Sequence, residues 1–238
     1  MPGKVVDRNE WLKARKAFLI KEKEHTRASD ALTTERHNLP MVKVDKEYTF
    51  TGPDNKTVSL SELFAGKDQL LVYHYMFGPT AERGCSGCAH VAEAIPKLGH
   101  LHERNTHLVC VSRAPVDKLE KFKKASGWEF PWYSSGDGDF NYDFYATADD
   151  TRGTGLVNFE TKEEQVAKEG KHYTGDVPGF SSFWKKDGEI YHTYSTFNRG
   201  VDHIMPTFGL LDMTVLGRQD TEDGPGGFTP PDKLNKKE

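Results

Sequence analysis

Residues 69–90, QLLVYHYMFGPTAERGCSGCAH, decide how the rest of the chain is read. Gln69 to Phe77 is apolar and aromatic, with one β-branched Val72, and reads as a buried strand. Gly78 and Pro79 break it, as turn residues do. Cys85-Ser86-Gly87-Cys88 follows, and from Ala89 the chain reads as helical to about Glu103. A Cys-x-x-Cys pair between a strand and a helix is a redox signature with a physical basis. The first thiol sits where unpaired N–H groups and the helix dipole favour thiolate. The second lies about one turn on, close enough to close a small disulfide ring and release a bound partner.

Composition narrows the classes. Across 238 residues the chain is 36% hydrophobic and 29% charged with a net charge of −4, the balance of a soluble globular protein. No basic block stands out, so nucleic acid is not expected as a partner. No apolar run approaches 18 residues, so no membrane span is expected. The start, MPGKVVDRNEWLKARK, lacks a signal-like apolar core, and three cysteines suit a reducing compartment. A cytoplasmic location is the expectation.

Outward from the central stretch, residues 8–38 read as one long charged helix that stops before Pro40. Trp11, Leu12, Arg15, Phe18, Leu19 and Glu22 form its thin stripe. Such a helix must pack on the body or on a second subunit. The thin stripe favours a brace over a dimerisation arm, with a homodimer through this helix as the alternative. Residues 41–50 alternate as a strand, Gly52 to Asn55 make a turn, and a short helix spans SELFAG with Ser59 or Ser61 as N-cap and Gly66 as stop. THLVCVS (106–112) reads as another buried strand with Cys110 as a packed core thiol. VDKLEKFKKAS, after Pro115, reads as a helix ending at Gly127.

WEFPWYSSGDGDFNYDF reads as a short strand and a structured loop. Residues 146–178 read as an insertion with a short helix over 160–169. SSFWKKDGEIYHTYST is a hairpin turning at Asp187-Gly188. VDHIMPTFGLLDM is a partly helical closing element whose regularity Pro206 limits. Three parts are expected: a helical extension over 1–40, a domain over 41–218 and a flexible or draped tail over 219–238. The order gives a mixed sheet flanked by helices, an α/β fold of thioredoxin-like type.

HYMFGPTAERGCSGCAH, LVCVSRAPVDKLEKF, GWEFPWYSSGDGDFNYDF, HTYSTFNRG and LLDMTVLGR carry a family likeness over about residues 8–220. The chain resembles a bacterial family of unknown function within the thioredoxin superfamily, whose members are predicted dithiol–disulfide oxidoreductases. The resemblance implies a thioredoxin-like fold and a redox pair at Cys85 and Cys88, with no substrate specified. Two departures stand out. Seven residues, Gly78 to Gly84, separate strand from cysteines, and Ser-Gly replaces the Gly-Pro of ordinary thioredoxins. The proline that would precede the hairpin and face the disulfide corresponds most nearly to Pro178.

Cys85 is therefore read as nucleophile and Cys88 as resolving thiol, acting on a protein or small-molecule thiol or disulfide. Arg83 and His90 are candidates to favour the thiolate, weighed against a solvated arginine and a helix-face histidine. His74, inside the apolar strand, is a candidate proton shuttle, weighed against a satisfied core histidine. Arg113 is placed like a helpful cation. His192, Tyr194 and Arg199 are candidates to line a pocket beside the disulfide, with Asp139, Asn141, Tyr142 and Asp143 opposite. No cofactor is called for: the chain has no Gly-x-Ser-x-Gly, no phosphate-binding Gly-rich loop and no His-Glu-x-x-His.

Three alternatives stand beside this reading. Copper-delivery proteins of this fold use two cysteines and a distant histidine, so Cys85 and Cys88 with His74 or His192 are a candidate copper or zinc set. The Pro-x-x-x-Thr/Ser-x-x-Cys pattern of peroxiredoxins fails here, with Pro79 six residues before Cys85 and Glu82 in the hydroxyl position. An inert cysteine pair would leave a non-enzymatic binding module.

Overall fold

The structure is a computed structural model that describes residues 3–153, 155–220, 228–229 and 231–234. The first element, α1 (Arg8–His37), is capped by Asp7, whose carboxylate accepts from the Asn9 and Glu10 N–H groups at 2.8 Å. α1 buries none of its residues. β1 (Val42–Lys43) and β2 (Thr49–Thr51) follow, then β3 (Thr57–Ser59) and β4 (Gln69–His74). The strand expected over 41–50 is thus two strands at opposite ends of one sheet, because β1 pairs with the final hairpin while β2 pairs with β3. The helix expected at SELFAG is a single 3-10 turn, Glu62–Phe64, and Ala65, not Gly66, is its left-handed stop. Ser61 makes no cap bond; Ser59 does, exchanging hydrogen bonds with Glu62.

The helix opened by the cysteines is α2 (Ser86–Glu93), and a separate turn, α3 (Gly99–Glu103), follows. The single helix expected to Glu103 is interrupted because Pro96 lacks an N–H and disfavours helix in the residue before it. β5 (Thr106–Ser112) and α4 (Val116–Ser126) match expectation, and Gly127 ends α4 with φ 72°. After β6 (Trp132–Ser134), FNYD forms a helical turn, α5 (Phe140–Asp143), where a loop was expected. Within 146–178 a two-stranded ribbon of β7 (Thr147–Ala148) and β8 (Gly175–Asp176) brackets α6 (Lys162–Glu169). A capping box between Thr161 and Glu164 starts α6. β9 (Gly179–Lys186) and β10 (Glu189–Phe197) form the expected hairpin. Pro206 opens α7 (Pro206–Asp212) at its first position, where a missing N–H costs nothing, so it helps rather than limits that helix. Of the tail, residues 221–227, 230 and 235–238 lie outside the described residues.

Among the described residues the main sheet runs β1-β10-β9-β4-β5-β6-β2-β3. β4, β5 and β6 are mutually parallel, and β9 is antiparallel to β4. This is the mixed, helix-flanked α/β sheet of thioredoxin-like type, with an N-terminal helix added. Strand alternation sends β4 side chains into two cores. Leu70 and Val72 join Phe64, Phe140 and Phe183 on one face. Tyr73, with Tyr75 and Phe77 just beyond, joins Cys88, Leu119, Trp132 and Phe208 on the other. Each fully buried Leu or Phe contributes roughly 1.5–3 kcal/mol of transfer free energy. β4 is therefore both the centre of the core and the strand that delivers the cysteines.

Candidate active site

Beyond β4 the chain is held extended by its neighbours: Tyr75 N–H donates to Val111 O at 3.0 Å and Ala114 N–H to Phe77 O at 2.8 Å. The loop 78–84 then doubles back, and Cys85 N–H donates to Met76 O at 3.0 Å. Lys118 of α4 anchors this loop by donating to the carbonyls of Pro79 and Ala81. Gly84 is required sterically, since a Cβ there would lie 2.5 Å from the Tyr75 ring. Two tyrosines sharing one face of the strand hold the cysteine turn from below. Tyr75 OH donates to Cys85 O at 2.9 Å, and Tyr73 OH donates to Cys88 O at 3.1 Å.

Cys85 is the N-cap of α2, with extended φ/ψ of −62° and 133°, and its Sγ accepts from the Cys88 N–H at 3.5 Å. All three cysteines stand as free thiols, Cys85 half-buried and Cys88 and Cys110 buried. The Cys85 thiol is lowered from 9.0 to about 6. The Cys88 thiol donating to it is the largest cause, and the N–H groups of Cys88 and Gly87 add to it against partial desolvation. Cys88 is pushed up, first by burial, then by its hydrogen bond to Cys85 and by the charge forming there. The pair therefore splits into an ionisable outer sulfur and a protonated inner one. Cys110 is wholly buried and pushed up by desolvation, as a packed core thiol should be.

The supporting candidates fall in several places. Arg83 is within electrostatic reach of the Tyr75 hydroxyl and is not among the groups that lower Cys85. His90 is turned onto Phe208 and Phe228, stacked 4.0 Å from the latter, and burial lowers its pKa. It is thus a neutral packing residue rather than a cation beside the thiolate. Phe228 also shows that this point of the tail drapes on the body. Arg113 is committed to Asp176 at 2.8 Å and to Tyr142 OH at 2.9 Å, while Thr147 donates to the same carboxylate oxygen. Its charge clamps the 146–178 segment beside Gly78, whose Cβ position is 3.7 Å from Asp176 Oδ2. Pro178, in trans, joins Met76, Tyr173, Asp176 and Asn198 around a cleft of about 380 Å³.

His74 and His192 lie on the opposite face of the sheet from the cysteines. His74 Nε2 meets Ser181 Oγ at 2.8 Å, Ser181 Oγ meets Ser195 Oγ at 2.8 Å, and Ser195 Oγ meets His192 Nε2 at 2.7 Å. Aromatic rings wall this relay in: Phe140 and Phe197 against His74, Phe144 and Phe183 against His192. The sheet itself separates His74 from Cys88, so the shuttle role and the copper or zinc set are not assembled. No cluster of three metal-ligating side chains occurs among the described residues. The expected pocket of His192, Tyr194 and Arg199 is not formed beside the cysteines either. Tyr194 lies under Arg36, and Arg199 pairs with Asp202. Asp139 and Asp143 are bridged by Lys46, Arg152 also pairs with Asp139, and Asn141 bonds Ser135.

Residues missed in the sequence are Tyr73, Tyr75, Lys118, Tyr173 and Asp176. The two tyrosines were legible as an i, i+2 pair on the strand entering the cysteine loop. Tyr173 feels the charges of Cys85 and Cys88, and no sequence periodicity marks it.

Fold and site together define a thioredoxin-like chain presenting an asymmetric dithiol at a helix start. Residues 2–234 match the family described as "Bacterial protein of unknown function (DUF899)", and the chain belongs to that family. A comparison with curated proteins gave no match. Among solved structures, the chain is similar to the Xanthomonas campestris bacterioferritin comigratory protein, described for its alkyl peroxide reduction activity. That match has 14% identity, 67% of this chain and 88% of that one covered, and a TM-score of 0.45. It is also similar to peroxidoxin BcpB of Mycobacterium tuberculosis (17% identity, 71% and 95% covered, TM-score 0.42). A third is BsSco, of the Sco family of cytochrome c oxidase assembly proteins (16%, 69% and 91%, 0.39). At these scores the functional reading rests on the chain's own geometry.

Proposed function

We propose that the protein is a dithiol–disulfide oxidoreductase. The observation that carries the reading is the split pair: Cys85 lowered to about 6 at a helix N-cap, with protonated Cys88 hydrogen-bonded behind it. At neutral pH Cys85 is a thiolate. It attacks one sulfur of a substrate disulfide, forming a mixed disulfide and expelling the other sulfur as thiolate. The hydrogen bond that stabilised Cys85 is lost at that moment, because its charge has gone into the new S–S bond. Cys88 then attacks Cys85 Sγ, its proton passing to the departing substrate thiolate, and the Cys85–Cys88 disulfide closes. Two electrons have moved from the pair to the substrate, and the reverse sequence oxidises a substrate dithiol.

A redox titration with alkylation and peptide mass readout tests this. A reversible two-electron couple confined to Cys85 and Cys88, with Cys110 unmodified, is the expected outcome. Cys85→Ser abolishes turnover, and Cys88→Ser accumulates the mixed disulfide. A Cys88→Ser enzyme that turns over at the wild-type rate sinks the two-cysteine mechanism.

A further inference from the structure

None of the residues of α1 is buried, yet its first half carries Trp11, Leu12, Phe18 and Leu19 on one stripe at 48, 42, 57 and 39% exposure. In proteins most helical stability comes from packing an apolar face, and this helix of thirty residues, about 45 Å at 1.5 Å per residue, leaves its stripe unpacked. Its C-terminal end meets the body where Arg36 lies over the Tyr194 ring at 5.1 Å. Trp11, Phe18 and Leu32 fall at multiples of seven with His25 at the position between the last two, Leu12 and Leu19 lie seven apart, and Arg15, Glu22 and Arg36 also fall at multiples of seven. That is the repeat of a helix–helix seam.

We propose that the chain forms a two-fold dimer through this half of α1, the two helices antiparallel and crossing at Phe18 and Leu19. The charges on the seam fix the register. Arg15 and Glu22 stand symmetrically about the Phe18–Leu19 midpoint, inside the stripe that Trp11, Leu12, Phe18 and Leu19 define. An antiparallel crossing there sets Arg15 of each copy against Glu22 of the other, twice over. A parallel pairing would set Arg15 against Arg15 and Glu22 against Glu22. Within one chain the two already reach each other, Arg15 Nη1 to Glu22 Oε2 at 2.8 Å, so both heads lie on the seam and are oriented along it. The same register sets Phe18 against Leu19, Trp11 against Thr26 and Leu12 against His25. It pairs Arg8 with Ser29 at its limits, an overlap of about 33 Å. The overlap ends before Arg36, which lies over the Tyr194 ring, so the two contacts do not compete. A two-fold contact of this kind is closed and does not propagate. The thin stripe that favoured a brace in the sequence belongs, in the structure, to a helix that buries none of its residues.

Sedimentation velocity on the full chain over a wide concentration range tests this. Wild type is expected to show a concentration-dependent dimer. Phe18→Glu, at an exposed position that leaves the body's core untouched, is expected to be monomeric. Arg15→Glu and Glu22→Arg alone each place like charges across the seam and should weaken the dimer about tenfold or more. An equimolar mixture of these two variants should regain wild-type association, because all-Glu then faces all-Arg. A wild-type chain that stays monomeric, a dimer indifferent to Phe18→Glu, or a mixture no tighter than its components would each overturn the proposal.

Discussion

Cys85 and Cys88 are chemically identical side chains that the fold makes unlike. Burial pushes one up, and the hydrogen bond between them pulls the other down. The rate of Cys85 alkylation by iodoacetamide should therefore titrate with a midpoint near 6, followed by peptide mass. Cys88→Ala, which removes the largest cause of that shift, should move the midpoint upward. An unchanged midpoint would assign the low value to the helix terminus alone. His74 makes the opposite kind of prediction, about stability. Burial holds it neutral down to about 3, against 6.5 when exposed. Between those values the unfolded chain binds a proton that the native chain refuses, so stability falls as pH drops through that window. The urea midpoint should decline between pH 7 and pH 5, and His74→Gln, which cannot titrate, should flatten the decline.

Elements show which features the sequence made legible. β5 and α4 have the expected boundaries because each is bounded by local chemistry: an apolar run closed by turn signals, and a helix set between Pro115 and a left-handed Gly127. Cys85 at the start of α2 is local in the same sense. The segment 41–50 was misread for a non-local reason. Its alternation is continuous, but the chain crosses from one edge of the sheet to the other within it, and nothing local records which partner waits at each edge. The supporting residues failed likewise. His74 and His192 were judged by their nearness in sequence to the redox loop and the hairpin, while strand alternation places both beneath the sheet. Two substitutions test the cysteine turn as a built element. Tyr75→Phe deletes the bond to the Cys85 carbonyl and should cost about 1 kcal/mol in urea unfolding. Gly84→Ala drives a methyl group into the Tyr75 ring and should cost roughly 1–3 kcal/mol, with weaker thiol reactivity.

At the scale of the molecule, the sheet divides two cores, and the parts differ in how firmly they are tied to it. β4, β5 and β9 are paired on both sides, and β5 is buried on both faces almost throughout, while β9 is half-buried over its second half. The 146–178 segment is closed at its neck by the short β7–β8 ribbon and tied to the body by polar contacts, chiefly Arg113–Asp176 and Arg152–Asp139. Hydrogen exchange should accordingly find the slowest amides in β4 and β5 and much faster exchange in α6. Protection of α6 equal to that of β5 would show the segment to be part of one cooperative unit. Among the described residues no helix is long and apolar enough to cross a membrane.

The Tyr75 ring whose hydroxyl holds the Cys85 carbonyl also lies 4.8 Å from the ring of Trp132 and 6.0 Å from that of Trp128. The outer sulfur is thus one aromatic ring away from two of the chain's four indoles, while Trp11 and Trp184 stand apart on α1 and β9. If the dithiol opens and closes as proposed, the turn that Tyr75 grips should shift, and the emission of the two inner indoles is expected to change with it. A fluorescence trace recorded during oxidation, with the response lost in Cys88→Ser, checks this, and an emission identical in reduced and oxidised protein would count against it.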